Sequence, residues 1–236
     1  MHPKPVTTRA ELAARIRAIE QRYRAPTAAP PAAFPLAGLL RADCLPAGAL
    51  VELLGQDGAG AWSVALITAR ALCGTQRALV IVDGAGTFYP PGLAGWGVDW
   101  QRVLVLRPPT PAAALQALEQ ALRCPAVGAT VAACPQLRTR ECRRLQLAAE
   151  HGGGAGLVLR PESARRWSSF ATLRLEVAAV ASRERCRRLQ LTVLRCRDGV
   201  EGRTLLLEID DATGDVRVPA GLAAAARDAA ATRLAE

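Results

Sequence analysis

The sequence has few of the residues that metal sites, disulfides and membrane spans require. It contains two histidines, and none of its seven cysteines belongs to a CxxC pair. No apolar run approaches the roughly 18 residues of a membrane helix, and the first residues lack the apolar core of a signal peptide. We therefore expect a cytoplasmic protein without metal, disulfides or membrane contact, in which most cysteines are buried thiols.

Lysine is nearly absent as well. Lys4 is the only lysine among 30 basic residues, and arginine supplies the rest. The net charge of +9 and the pI near 10.0 favour a polyanionic partner, because a guanidinium binds phosphate both by charge and by its bidentate geometry. The same bias toward arginine and alanine is typical of GC-rich coding, so charge alone leaves nucleic-acid contact open.

The 236 residues are enough for one full α/β core flanked by tails. Thr8 and Glu11 form a capping box, and apolar residues at helical spacing predict an amphipathic helix over 8–24. This helix either docks on its own core or packs against a second copy or a partner. The proline-rich stretch that follows predicts an extended linker. We divide the chain into a helix and linker (1–35), a core (36–219) and an alanine-rich tail (220–236).

Strands and helices alternate through most of the core. Strands are predicted at 49–54, 78–83, 102–106, 127–133 and 156–160, and helices at 61–73, 111–122 and 139–150. This alternation predicts an α/β fold with a doubly wound, mostly parallel sheet that is covered by helices on both faces. Three β-rich segments then follow, and we expect them to extend the sheet as an antiparallel C-terminal edge: 172–178, 188–195 and 203–209.

A glycine-rich turn joins the first strand to the first helix. Gly55 and Gly60, with Gly58 between them, have the GxxxxG spacing with which backbone N–H groups surround a phosphate at a helix N-terminus. The next two positions are Ala61 and Trp62, where a working loop has a lysine for the phosphates and a hydroxyl for Mg²⁺. The turn is therefore either a degenerate nucleotide loop or simply a tight connection between strand and helix.

Several segments, taken together and in order, resemble the ImuA family of translesion-synthesis accessory proteins. They are CLPAGALVELLG at 44–55, IVD at 81–83, FYPPGL at 88–93, GVDW at 97–100, RVLVLRP at 102–108, RRLQLAAE at 143–150, GLVLRP at 156–161 and RRLQL at 187–191. The resemblance implies a RecA-like fold of the P-loop type. It also implies a DNA-repair role in the SOS response to DNA damage, in which the protein assists mutagenesis by an error-prone polymerase complex.

The partners that the resemblance implies are an ImuB-like, inactive homologue of Y-family polymerases and an error-prone polymerase subunit. Compared with recombinases, this chain has Asp83-Gly84-Ala85-Gly86 where a water-activating glutamate would stand. The later strand runs out at Cys134-Pro135, without a carboxylate to orient Mg²⁺. We therefore predict a non-catalytic adaptor that does not hydrolyse ATP, and weak binding of ATP or ADP stays open.

Arginine clusters are the candidate contacts for DNA or a partner: Arg138, Arg140, Arg143, Arg144, Arg183, Arg185, Arg187 and Arg188. The first four follow a core strand, where recombinase-like folds carry DNA-binding loops, but such side chains can instead cover apolar surface or pair with acids. The tryptophans Trp96, Trp100 and Trp167 are predicted to be packing anchors. Two other functions remain: a divergent DNA-dependent ATPase that recruits an arginine such as Arg70, and a cell-division inhibitor of the SulA type.

Overall fold

The computed structural model describes Leu36, Leu39 and residues 45–183, 186–197 and 201–219. The predicted helix at 8–24, the proline-rich linker and the tail at 220–236 lie outside the described residues, and they stay predictions. Among the described residues, no helix combines the length and the apolar character needed to cross a membrane.

One sheet of nine strands runs through the described part of the chain. The strands are β1 (Leu50–Gly55), β2 (Ala78–Val82), β3 (Val103–Leu106), β4 (Val127–Ala133), β5 (Ala155–Pro161), β6 (Leu173–Arg183), β7 (Cys186–Cys196), β8 (Thr204–Asp210) and β9 (Val216–Arg217). They lie in the order β3-β2-β4-β5-β1-β6-β7-β8-β9. The first six strands are parallel to one another, and β7 to β9 continue the sheet antiparallel.

Three α-helices cover the two faces of the parallel part: α1 (Ala61–Cys73), α2 (Pro111–Arg123) and α3 (Thr139–Gly152). Side chains alternate along a strand, so Val51 and Leu53 of β1 pack on the α1 face while Leu50 packs under α2 and α3. The prediction of an α/β fold with a mostly parallel sheet and helices on both faces is confirmed. The architecture is consistent with the expected RecA-like fold.

The starts of α2 and α3 are fixed by local capping. At α2, the side chain of Thr110 accepts a hydrogen bond from the backbone N of Ala113 at 3.2 Å, and Pro111 occupies the first helical position. At α3, a carboxylate oxygen of Glu141 accepts from the backbone N of Arg138 at 2.8 Å. Both helices begin a few residues after the preceding strand ends, on the side of the sheet where the parallel strands have their carboxyl ends.

The predicted orientation of the first C-terminal strand is wrong. We expected 172–178 to join the sheet antiparallel, whereas β6 lies parallel to β1, with Val51 opposite Leu173. The cause is the connection after β5, which we call the crossover segment (162–172). It returns the chain across the α3 face of β1, so that β6 starts at the same end of the sheet as β1. Antiparallel pairing begins only at β7, and the two-residue strand β9 was not predicted.

Candidate functional site

The glycine turn has the strand-turn-helix context that the sequence predicts. It follows β1 directly, and Gly60 immediately precedes the first residue of α1. Gly58 and Gly60 have positive φ angles of 81° and 94°, a conformation that side chains other than glycine rarely adopt. The backbone N of Ala59 donates to the carbonyl of Gln56 at 3.0 Å and closes the turn.

The turn packs closely against the β-rich part of the sheet. A Cβ atom placed on Gly60 would lie 2.7 Å from a terminal methyl carbon of Leu189, which is fully buried on β7. A Cβ atom on Gly55 would lie 2.6 Å from the backbone oxygen of Val177 on β6. Both glycines of the GxxxxG spacing therefore have a packing role, because only glycine allows β6 and β7 to approach the turn this closely.

The polar groups around the turn do not favour a phosphate. Asp57 is exposed at its tip, and Gln56 donates to a carboxylate oxygen of Glu162 at 3.5 Å. Ser63 is buried, and its hydroxyl accepts from Arg187 at 3.0 Å. The Ser63 hydroxyl, which comes closest to the sequence position of a Mg²⁺ ligand, is therefore already hydrogen-bonded. The exposed charge of Asp57 is negative, like that of a nucleotide.

Two residues near the turn have other structural roles. Trp62 packs against Phe88, with their ring centroids 6.0 Å apart. Arg70, the arginine that a divergent ATPase would recruit, lies in the last turn of α1 and donates to the backbone oxygen of Trp96. It is therefore at the opposite end of the helix from the glycine turn.

Asp83, which follows β2, is also committed to local structure. Its side chain is buried and accepts hydrogen bonds from the backbone N of Thr87 at 2.9 Å and of Phe88 at 3.3 Å. The Nε of Arg107 lies 3.2 Å from the same carboxylate. This carboxylate therefore caps a turn and pairs with Arg107.

The predicted arginine clusters separate in the structure. On β7, Arg187 pairs with Asp211, and Arg188 with Glu208 at 3.2 Å. Arg144 pairs with Glu119 of α2, and the guanidinium of Arg143 lies 5.4 Å from the centre of the Phe170 ring. The side chains of Arg183 and Arg185 lie outside the described residues. The remaining members, Arg138 and Arg140, are exposed at the start of α3.

A groove of about 1200 Å³ opens beside Arg138. It lies at the carboxyl ends of β2, β3 and β4, the edge of an α/β sheet at which ligands bind most often. Its lining residues are Gly84, Ala85, Pro109, Thr110, Pro111, Ala112, Ala114, Leu115, Ala133, Cys134, Pro135, Gln136, Leu137, Arg138, Thr139, Glu141 and Trp167. No sequence pattern marked this groove, since its walls come from several separate segments.

The prediction that the tryptophans are packing anchors is confirmed for Trp96 and wrong for the other two. Trp96 is buried, and its indole N donates to the backbone oxygen of Asp211 at 3.0 Å. Trp100 is 37% and Trp167 44% exposed; Trp100 begins a short 3-10 helix (Trp100–Arg102), and Trp167 directly follows another (Glu162–Arg166). Trp167 instead forms part of the groove wall and packs on the guanidinium of Arg160, which lies 5.1 Å from the centre of its ring.

The thiol that lines the groove is not set up as a nucleophile. Burial raises the pKa of Cys134 to about 12, although the nearby guanidinium of Arg160 lowers it in part. At pH 8 the thiol is therefore almost entirely protonated. We expect iodoacetamide to modify Cys134 at pH 8 far more slowly than a free cysteine, as measured by mass spectrometry of the peptide. Modification at the rate of free cysteine would contradict this.

A buried ionic cluster lies behind the groove, and sequence analysis missed it. Glu52, fully buried on β1, accepts from Arg160 at 3.0 Å and from Arg174 at 2.8 Å. The Ser169 hydroxyl donates to the same carboxylate at 2.9 Å. The available signal was a glutamate within the apolar strand ALVELL, because a charged residue is almost never fully buried without a partner.

This cluster binds two of the segments that border the groove, the loop between β4 and α3 and the crossover segment. Arg160 also donates to the backbone oxygen of Leu137, in the loop between β4 and α3, at 2.9 Å. Arg174 donates to the backbone oxygens of Ala164 at 2.8 Å and Trp167 at 3.2 Å, in the crossover segment. The cluster therefore connects the strand that delivers the glycine turn to the loop before α3 and to the crossover segment, on one side of the groove.

Comparisons with known proteins agree with the resemblance seen in the sequence. No family model matches the chain. Two curated proteins named ImuA, from Caulobacter vibrioides strains NA1000 / CB15N and ATCC 19089 / CB 15, are each 36% identical over 121 residues. The match covers 49% of this chain and 50% of each relative, so the chain spans about half the length of the curated relatives it matches. This match confirms the predicted resemblance to ImuA proteins.

Proposed function

We propose that the protein is a non-catalytic adaptor in an error-prone translesion DNA synthesis complex. In this role it connects an ImuB-like, inactive polymerase homologue to an error-prone polymerase subunit after DNA damage. The similarity to ImuA proteins supports a role of the chain in translesion DNA synthesis. The geometry of the glycine turn supports the absence of ATP turnover.

The observation that carries the proposal is that the glycine turn is tightly packed and has neither the lysine nor the hydroxyl that would bind phosphate and Mg²⁺. A nucleotide would need the turn to surround its phosphates, a lysine to neutralise them and a hydroxyl to bind Mg²⁺. Ala61 and Trp62 occupy the two side-chain positions, and β6 and β7 pack against the glycines themselves. A protein that does not turn over ATP can still use the surface of its α/β core to bind other proteins.

The test is a capture experiment in damaged cells. We expect the tagged full-length chain to recover an ImuB-like polymerase homologue, and the recovery to be lost on removal of 1–35, of 220–236 or of both if these segments dock the partner. We also expect the purified chain to show no ATP hydrolysis above buffer, with or without single-stranded DNA.

Opposite outcomes favour the other functions. DNA-stimulated ATP hydrolysis that is abolished by a substitution of Gly60 would support the divergent ATPase. Cell filamentation on overexpression, without capture of any polymerase component, would support a division inhibitor. Capture of nothing from damaged cells would contradict the adaptor role.

A further inference from the structure

The groove at the carboxyl ends of β2, β3 and β4 has a size and a lining that suit a peptide. Its volume of about 1200 Å³ exceeds the roughly 300–1,000 Å³ of most small-molecule sites. Small and apolar side chains make up most of its surface, among them Ala85, Pro109, Leu115 and Leu137, and Trp167 forms one wall. An occupant would therefore contribute apolar side chains along an extended contact.

Three exposed arginines lie on the segments that form the groove. Arg138 lines the groove, Arg140 is exposed in the first turn of α3, and Arg166 is exposed in the crossover segment next to Trp167. The acidic side chain among the lining residues, Glu141, is turned to the backbone N of Arg138. Both α2 and α3 also begin at the groove, so the positive ends of their dipoles add to the arginines. The occupant should carry carboxylates.

The two terminal segments outside the described residues, 1–35 and 220–236, do not have the excess of carboxylates that the occupant should carry. Residues 1–35 contain six basic and two acidic residues, and residues 220–236 contain two of each. A second copy of the chain, with a net charge of +9, would be repelled as well. Charge complementarity therefore favours a segment of a different protein.

Single-stranded nucleic acid fits the lining less well. Binding of that kind stacks successive bases on several aromatic rings, whereas Trp167 is the single aromatic residue among those lining the groove. The guanidinium of Arg143 lies over one face of the neighbouring Phe170 ring, whose residue is 41% exposed. The opposite wall, formed by Gly84, Ala85 and the start of α2, has no basic side chain to follow a phosphate backbone.

We propose that this groove binds an acidic peptide segment of a partner protein, with apolar residues of the segment packed against Leu115, Leu137 and Trp167 and its carboxylates at Arg138 and Arg140. The inference rests on the adaptor function and adds the place and the chemistry of the contact. It differs from docking through 1–35 or 220–236, which the capture experiment addresses.

The direct test uses a defined probe and the full-length chain. The probe is a fluorescein-labelled peptide of roughly three helical turns with leucines on one face and glutamates on the other. A second peptide with lysines for the glutamates and a labelled oligothymidine serve as comparison ligands. We expect saturable binding of the acidic peptide in fluorescence anisotropy, no binding of the lysine peptide, and weakening by added salt.

Point variants locate the binding. Arg138→Glu and Trp167→Ala should each weaken the acidic peptide about tenfold, as expected when one anchor of a small interface is lost. Arg140→Glu provides a second charge reversal outside the cap of α3. Arg217→Glu is the matched control, because it makes the same charge change on the exposed edge strand β9, at the other end of the sheet. Circular dichroism checks that each variant is folded.

The outcomes separate this inference from the adaptor function. If Arg217→Glu and Arg138→Glu weaken binding equally, the binding depends on overall charge alone, and the groove is not the binding site. If the chain binds oligothymidine in preference to the acidic peptide, and Arg138→Glu abolishes that binding, the groove binds DNA and not a peptide. If the polymerase homologue is captured equally by Arg138→Glu, Trp167→Ala and the parent chain, the adaptor stands and the groove does not.

Discussion

Replacing Glu52 with alanine should lower the free energy of unfolding by about 3–5 kcal/mol, the cost of removing one partner from a buried ion pair. The guanidiniums of Arg160 and Arg174 would both remain in the core without their carboxylate. The Ser169 hydroxyl would also lose its acceptor. Urea unfolding followed by circular dichroism measures the change as a shift of the midpoint.

A matched control comes from the neighbouring strand β6. Glu176 pairs with Arg165 at 3.0 Å, but the two side chains are 25% and 58% exposed. Glu176→Ala should therefore cost no more than about 1 kcal/mol. A second readout is cleavage by trypsin after Arg165 and Arg166, which should accelerate in Glu52→Ala because the crossover segment loses its attachment. Equal stability losses in the two variants would show that the buried cluster is not the stronger contact.

The second large effect concerns the glycine turn. Gly60→Ala should cost about 1–2 kcal/mol for the positive φ angle and about 1–3 kcal/mol more for overpacking against Leu189. Gly58→Ala is the control, since Gly58 also has a positive φ but no atom within 4 Å of the added Cβ. The difference between the two variants in urea unfolding isolates the packing cost.

A double-mutant cycle makes this test specific. Leu189→Ala alone should cost about 2–5 kcal/mol, because it opens a cavity in the core. In that background Gly60→Ala should lose its packing cost and retain only the backbone cost. If Gly60→Ala is equally destabilising with and without Leu189, the glycine is required for the conformation of the turn alone, and the packing role assigned to it is wrong.

Most of the core could be predicted because hydrophobic periodicity is a local signal. Helix α1 and strand β4 match their predicted ranges, and the other elements predicted among the described residues are confirmed with shifts of one or two residues at their ends, except that β6 ends five residues later than predicted. The direction of β6 could not be predicted in this way. It depends on the path of the crossover segment, and that path is set by contacts with Glu52 and Arg174, which are far apart in the sequence.

The candidate site shows the same division. The loss of the phosphate-binding residues could be read from Ala61 and Trp62, because that motif is contiguous. The state of each arginine could not, since Arg187 binds Ser63 and Asp211 across the fold and Arg144 binds Glu119 on another helix. The groove is a property of several loops that meet in space, so periodicity and motif spacing carry no information about it.

The position of β1 in the middle of the sheet imposes an order on folding. Its two neighbours are β5 and β6, so β1 and its glycine turn have no strand to pair with until residues 155–161 and 173–183 have been synthesised. Glu52 likewise stays without Arg160 and Arg174 until then. The early part of the chain can form β2, β3 and β4 with α2 beside them, but the central strand must wait. Contacts over such long sequence separations are slow to form, and an unpaired apolar strand is prone to aggregate. Strand β6 therefore both completes the ionic cluster and gives the central strand its second neighbour.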